Sequence, residues 1–343
     1  MSRVATQKMV EGTPDAVGAS AGNGAADALA RSRTADAAVM VRPRDFGFNP
    51  ETAIDNEFLA SSGSSSSEQI AHRANVEFQT MLDRLRAEEI EILVLEPNPT
   101  DLTRVPDAVF PNNWFSTEHD GTLLVYPMMA PNRRAERRID DLVQLLRDAG
   151  RLVREVVLVA PLDENERFLE GTGALVIDHA TRTVYASRSQ RCHPEQFQHF
   201  IRSRGYREGI LFNTAGSSGH PIYHTNVMMN LGQEYAVVCP EAIRDPADRD
   251  RVMQSLRRSF DVIDISMPQM EKHFCGNVLE LRNRRNEPRI ILSARAEQGF
   301  TPEQRRRLSA HGKLVSIDLD TIEQIGGGSA RCMLAEVFCP RAC

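Results

Sequence analysis

The sequence predicts an α/β chain closed into a ring, a five-bladed α/β propeller. Three observations carry this reading. A unit of strand, turn, strand, helix and strand recurs at roughly 50–60 residues, a period of propellers rather than of a single open sheet. Four such units follow one another between residues 107 and 317. The fifth is split: an apolar strand near the N-terminus and another at 332–338 must meet to complete it. A ring closed in this way leaves no sheet edge exposed.

In order, residues 1–36 are rich in Ala, Gly, Ser and Thr with no apolar period, and read as a disordered tail. They lack the contiguous apolar core of a signal peptide, and Glu11, Asp15, Asp27 and Asp36 count against a transit peptide. A single domain is expected over 37–343. It opens with the apolar strand 37–41, followed by a loop over 42–56 and a polar hinge at Ser61–Ser66. Ile70, Ala74, Phe78, Met81, Leu82 and Leu85 recur at helical spacing and predict an amphipathic helix over 67–88. The strand 90–95 follows, and Pro97 stops it.

The first full unit reads as strands near 107–115 and 122–126 around the turn His119-Asp120-Gly121, a helix at 133–149 and a strand at 153–159. The second is 173–178, 183–186, a helix at 194–204 and 210–212. The third is 225–230, 235–239, a helix at 246–258 and 262–265. The fourth is 277–282, 289–293, a helix at 302–311 and 314–317. The run 333–338 after Cys332 closes the set as a strand.

Composition excludes several classes of function. Of 343 residues, 26% are charged and 41% hydrophobic, ordinary for a soluble domain. The net charge of −6 offers no basic surface for nucleic acid or anionic membrane. No apolar run approaches the ~20 residues of a membrane span. Six cysteines (192, 239, 275, 332, 339 and 343) form no CxxC pair, so neither a disulfide framework nor a zinc site is expected, and a reduced, cytoplasmic protein is. No paired histidine spacing suggests a metal, and Gly326–Gly328 lacks the Lys and Ser/Thr of a phosphate loop. Neither metal nor cofactor is expected. A homo-oligomer is left open.

In a closed ring, equivalent positions of successive units gather at one end of the axis. The polar residues at that phase are Asp107 with Asn112 and Asn113, Glu170 in Leu169-Glu170-Gly171-Thr172-Gly173, His224 and Asn226, Cys275-Gly276-Asn277, and Cys332 behind three glycines. A lone Cys, His or Glu is ordinarily structural. A thiol, an imidazole and a carboxylate at matching phase supply a nucleophile, a proton carrier and an acceptor for one site.

The stretches Asp107-Ala108-Val109-Phe110-Pro111-Asn112-Asn113, Leu169-Glu170-Gly171, His224-Thr225-Asn226 and the glycine turn ending in Cys332 resemble, in this order, the pentein-fold superfamily of guanidine-modifying enzymes. That superfamily holds arginine deiminase, dimethylarginine hydrolase, agmatine deiminase and the amidinotransferases. The resemblance spans roughly residues 38–340 and is strongest to amidinotransferase-like hydrolases proposed to act in citrulline utilisation. It implies that Cys332 attacks a guanidino or ureido carbon, that His224 protonates the leaving nitrogen and activates water, and that Glu170 holds the substrate nitrogens. It implies Arg191 and Arg133, the latter spaced from Glu136 as in relatives, for a substrate α-carboxylate, and Asp107 for the α-ammonium. Cys192 stands where Thr is usual. The loop 46–49 is expected over the pocket.

Three departures bear on the substrate. Asn113, Asn226 and Gly173 stand where guanidinium-binding relatives carry acids. A guanidinium is all donor and charged, whereas a ureido group is neutral with one acceptor beside its donors. The expectation is therefore a small amino-acid substrate, citrulline, with hydrolysis to ornithine, carbon dioxide and ammonia. An arginine deiminase or dihydrolase, an amidinotransferase, and a non-catalytic binding ring of the same fold remain the alternatives.

Overall fold

A computed structural model describes residues 32–56, 66–101, 103–160 and 167–342. The expected tail falls outside these residues up to position 31, and the polar hinge does so except for Ser66. Residues 32–36 are not tail. Arg33 pairs with the buried Asp178 (Nε to Oδ1 2.8 Å) and lies over Phe260, and Ala35 bridges to Leu281.

Five three-stranded sheets repeat one plan. The strands are β1 (Ala37–Val41), β2 (Glu91–Leu95), β3 (Phe115–Thr117), β4 (Thr122–Val125), β5 (Glu155–Leu158), β6 (Leu175–Asp178), β7 (Thr183–Ser187), β8 (Glu208–Phe212), β9 (Met229–Leu231), β10 (Tyr235–Val238), β11 (Asp261–Asp264), β12 (Leu279–Arg282), β13 (Pro288–Ser293), β14 (Lys313–Ile317) and β15 (Ala335–Glu336). They pair as β3-β4-β5, β6-β7-β8, β9-β10-β11, β12-β13-β14 and β15-β1-β2. In each, the first strand runs antiparallel to the second and the third returns parallel to it, as in Phe115↔Val125 and Leu123↔Val156. The split blade forms as expected: β15 pairs antiparallel with β1 (Val39↔Ala335) and β2 parallel (Val39↔Leu93). The middle strand of each blade is buried on both faces, which is why its residues form unbroken apolar runs such as Tyr235-Ala236-Val237-Val238.

A helix makes each parallel crossover. Ser66 and Gln69 form a capping box at the start of Ser67–Ala87, whose stripe from Ile70 to Leu85 is buried. Asp245 caps Pro246–Arg257, and Thr301 with Gln304 caps Pro302–His311. Short helices at Met267–His273, Ala294–Gly299 and Asp320–Gly326 carry no signal in the apolar period. Among the described residues, no helix is long and apolar enough to cross a membrane.

The main correction concerns the innermost strands, which are shorter than expected because each is preceded by a tight turn. Residues 111–113 form a 3-10 turn rather than strand, since Pro111 has no N–H to give a ladder. Turns also stand ahead of the other inner strands: one helical turn at Gly171–Ala174, a 3-10 turn at Thr225–Val227, a turn at 274–277 closed by Asn277 N on Phe274 O (2.8 Å), and one at 329–334, where Cys332 N bonds Ser329 O (2.9 Å). Cys332 thus sits in the turn ahead of β15, not on the strand. The helix expected at 133–149 is likewise two pieces, a 3-10 turn at Pro131–Glu136 and a helix at Ile139–Asp148. The break lets Arg133 and Glu136 face inward, where both are buried.

Candidate active site

These five turns clasp one another around the ring. Thr172 Oγ1 donates to Asn112 O (3.3 Å), Thr225 Oγ1 to Ala174 O (2.6 Å), and Asn277 Nδ2 to Asn226 O (3.1 Å). Arg331 N donates to Asn277 Oδ1 (3.1 Å), and Gly328 returns to the first turn by packing on Phe110. The sequence-predicted residues Asn112, Asn113, Glu170, His224, Asn226 and Cys332 all ride on this belt, each no more than 3% exposed.

His224 Nε2 meets Glu170 Oε2 at 2.9 Å. Glu170 Oε1 accepts the Met129 N–H (2.9 Å), and Arg191 Nη1 lies 3.5 Å from Oε2. Burial works to raise the Glu170 carboxyl, but Arg191, the bond from His224 and Arg133 outweigh it and hold the group at about 2. Burial lowers His224 below its ordinary 6.5, with Glu170 opposing. The pair is therefore carboxylate with neutral imidazole at neutral pH. The imidazole edge passes over Gly173, where a Cβ would come within 2.9 Å of His224 Nδ1 and collide with Asn113 Nδ2. Gly173 is thus a close approach as well as a missing acid.

Cys332 Sγ lies 3.2 Å from Asn277 Nδ2 and 3.6 Å from Asn226 Nδ2. Its turn is tied to the histidine's neighbour, since Tyr223 Oη donates to Gly327 O (2.8 Å). Burial pushes Cys192 and Cys275 up to about 12 and Cys239 and Cys339 up to about 11.

The two arginines are placed differently from expectation. Arg133 does not present an open fork. Nε and Nη2 meet both oxygens of Glu136 at 2.9 Å, Nη1 donates to Asn113 Oδ1 (2.8 Å), and Nη2 also reaches Phe110 O (3.1 Å). It acts as a clamp that fixes the Asn113 amide, whose Nδ2 then donates to Asn112 Oδ1 (3.1 Å). Arg191 stacks on Tyr223 and is held by Asp55, with Nε 2.8 Å from Oδ2 and Nη2 bonded to Oδ1. Asp55 belongs to the loop after β1, whose Asn49 and Thr52 donate to Asp107 Oδ2 at 2.7 and 2.9 Å. That loop does cover the belt, through 49–56 more than through 46–49. Sequence reasoning missed Asp55, which lies 136 positions from its partner, and gave Asn277 no role.

Among the described residues, Asp107 Oδ1, Asn112 Nδ2 and Asn226 Oδ1 are buried without a hydrogen-bond partner. Buried polar atoms left unpaired cost on the order of 1–3 kcal/mol each, so two acceptors and a donor here are hydrogen-bonding capacity that a polar ligand could meet. No group of three or more His, Cys, Asp or Glu side chains that could hold a metal ion occurs among the described residues.

Comparison with known proteins agrees with this architecture. The family model described as N,N dimethylarginine dimethylhydrolase, eukaryotic, matches residues 42–339. No curated protein matches by sequence. Among solved structures, apo ArgZ, an arginine dihydrolase from the ornithine-ammonia cycle in cyanobacteria, superposes with a TM-score of 0.66 at 16% identity, covering 89% of this chain and 41% of ArgZ. The chain thus spans about two fifths of full-length ArgZ. The N-terminal domain of ArgZ bound to product gives 0.65 at 17% identity, covering 89% of this chain and 99% of that one. DDAH from Pseudomonas aeruginosa complexed with citrulline gives 0.61 at 16% identity, covering 89% and 100%. With the family model matching most of this chain and the five-bladed fold shared, this chain belongs to the dimethylarginine dimethylhydrolase family, in the pentein superfamily of guanidine-modifying enzymes.

Proposed function

We propose that this chain is a cytoplasmic cysteine hydrolase acting at the ureido carbon of citrulline, with residues 37–343 as one catalytic domain. The observation that carries this reading is the pairing of an unfilled acceptor, Asn226 Oδ1, with an unfilled donor, Asn112 Nδ2, on the belt that holds Cys332. A neutral ureido group presents both donor and acceptor atoms, and a guanidinium presents donors alone.

His224, neutral beside Glu170, takes the thiol proton as Cys332 attacks the ureido carbon. One amine leaves with that proton, and sulfur holds the carbonyl. His224 then deprotonates water, the hydroxide attacks the same carbon, and sulfur leaves as thiolate. The carbamate breaks down to carbon dioxide and the second amine. One citrulline and one water give ornithine, carbon dioxide and ammonia, with no redox change. Asp107 Oδ1 takes the α-ammonium, and Arg191 takes the α-carboxylate in exchange for Asp55. Arg133 holds Asn113 and does not touch substrate.

Arginine dihydrolysis is the second reading. It is favoured by the likeness to ArgZ and by Asp107 Oδ1, an unpaired acceptor that a cation could use. Product analysis with citrulline, arginine and dimethylarginine side by side, with Cys332→Ala as control, separates the two. Ornithine and ammonia from citrulline are expected. Ammonia from arginine with none from citrulline would overturn the assignment.

A further inference from the structure

We infer that Asn277 is a catalytic residue, whose amide holds the sulfur of Cys332 as a hydrogen-bond acceptor and so favours the thiolate that attacks and the thiolate that departs. The inference rests on Cys332 being the nucleophile and is independent of which substrate it attacks.

The geometry leaves the amide one orientation. Asn277 Oδ1 faces two backbone donors, Arg331 N at 3.1 Å and Cys332 N at 3.4 Å. A backbone N–H only donates, so this atom must be the oxygen. The nitrogen then points its two hydrogens at Cys332 Sγ (3.2 Å) and at Asn226 O (3.1 Å). A thiolate accepts such a bond strongly and a thiol weakly, so the contact stabilises the charged form. Asn277 also grips the backbone of the turn that carries the sulfur, so the same amide sets where Sγ stands. No proton passes to it.

The surrounding chain is built to place this side chain. Phe274, with φ 55° and ψ 27°, ends the helix Met267–His273 in the left-handed region, and Asn277 N closes the turn on Phe274 O (2.8 Å). Gly276 passes so close to Val227 O that a Cβ there would collide with it. The glycine lets the fourth turn press against the third, and that approach carries Asn277 to Asn226 and Cys332. Asn277 is 1% exposed.

The test is the pH dependence of Cys332 alkylation by iodoacetamide, read at that residue by peptide mass spectrometry, with thermal melts as a folding control. Asn277→Ala removes both contacts. Asn277→Asp keeps the oxygen for the two backbone donors and replaces the sulfur's donor by a carboxylate oxygen. Both variants are expected to reach half-maximal alkylation at higher pH than the parent, with about tenfold slower labelling at neutral pH. kcat is expected to fall about 10- to 100-fold, with KM little changed. A folded Asn277→Asp protein with the parent's alkylation profile overturns the inference, whatever its turnover. Failure of the nucleophile assignment itself shows separately, as turnover retained by Cys332→Ala.

Discussion

Asp55 fills the guanidinium fork of Arg191 from the loop after β1, with Nε 2.8 Å from Oδ2. The carboxylate of one part of the chain occupies the cation proposed for the substrate's carboxylate. Substrate must displace it, and the exchange costs affinity. Asp55→Asn is therefore expected to lower KM for citrulline several-fold, on the order of 1 kcal/mol, with kcat held. Steady-state kinetics check this, and a raised KM would show that Asp55 positions Arg191 rather than competing for it.

Asn226 stands in the proposed head-group site, with its oxygen unpaired and its nitrogen 3.6 Å from the sulfur. Asn226→Asp adds a charge that suits a cation and leaves a ureido carbonyl facing an acceptor. The ratio of kcat/KM for arginine over citrulline is expected to rise about 10- to 100-fold, corresponding to ~1–3 kcal/mol. An unchanged ratio in a two-substrate competition assay would place the discrimination elsewhere.

Gly173 lies against the His224 ring and the Asn113 amide. Neither neighbour can move without straining a hydrogen bond, since Glu170 holds the ring and Arg133 holds the amide. Gly173→Ala is expected to displace His224 and cut kcat by a factor on the order of 100 while the protein stays folded. Circular dichroism beside turnover measures both halves.

Glu170 titrates at about 2 in the folded chain against an ordinary 4.5. The lowered carboxyl gives stability that is complete above 4.5 and is lost as pH falls toward 2, because the unfolded chain binds the proton first. The contribution is on the order of 3 kcal/mol. Urea melts between pH 6 and 3 are expected to show a shallower decline for Glu170→Gln than for the parent.

His224 is lowered from 6.5 by burial. The reaction needs it neutral at the start, so the acid limb of kcat/KM is expected below pH 6.5. A fall in kcat/KM as pH rises through the imidazole's titration would mean that the ring enters the reaction already protonated.

Much of this was legible from the sequence because the blades repeat. Strands such as 37–41 and 235–238 are short apolar runs at a fixed phase, and burial on both faces of the middle strands produces that pattern. The turns were not legible as turns. Phe110 and Trp114 flank the coil at 111–113 with bulky apolar residues that read as strand, and only Pro111 marks the break. For the arginines, Glu136 is visible from Arg133 at a spacing of three, so a pair could be read. Whether the pair faced water or the interior depends on the break before Ile139, and the apolar period does not show it. Asn277 was within reach only as the fourth member of the phase set, since an Asn before a strand has no local signature of contact with sulfur.

The pairing of β15 with β1 also orders events during synthesis. Residues 37–41 leave the ribosome early and must wait for 335–336, nearly the whole intervening polypeptide later. The strands of four blades are made first, and Cys332, the proposed nucleophile, is the last residue of the candidate site to arrive. Under the proposed assignment, a chain that ends short of residue 332 has its imidazole and its carboxylate but no nucleophile, so turnover waits for the ring to be sealed.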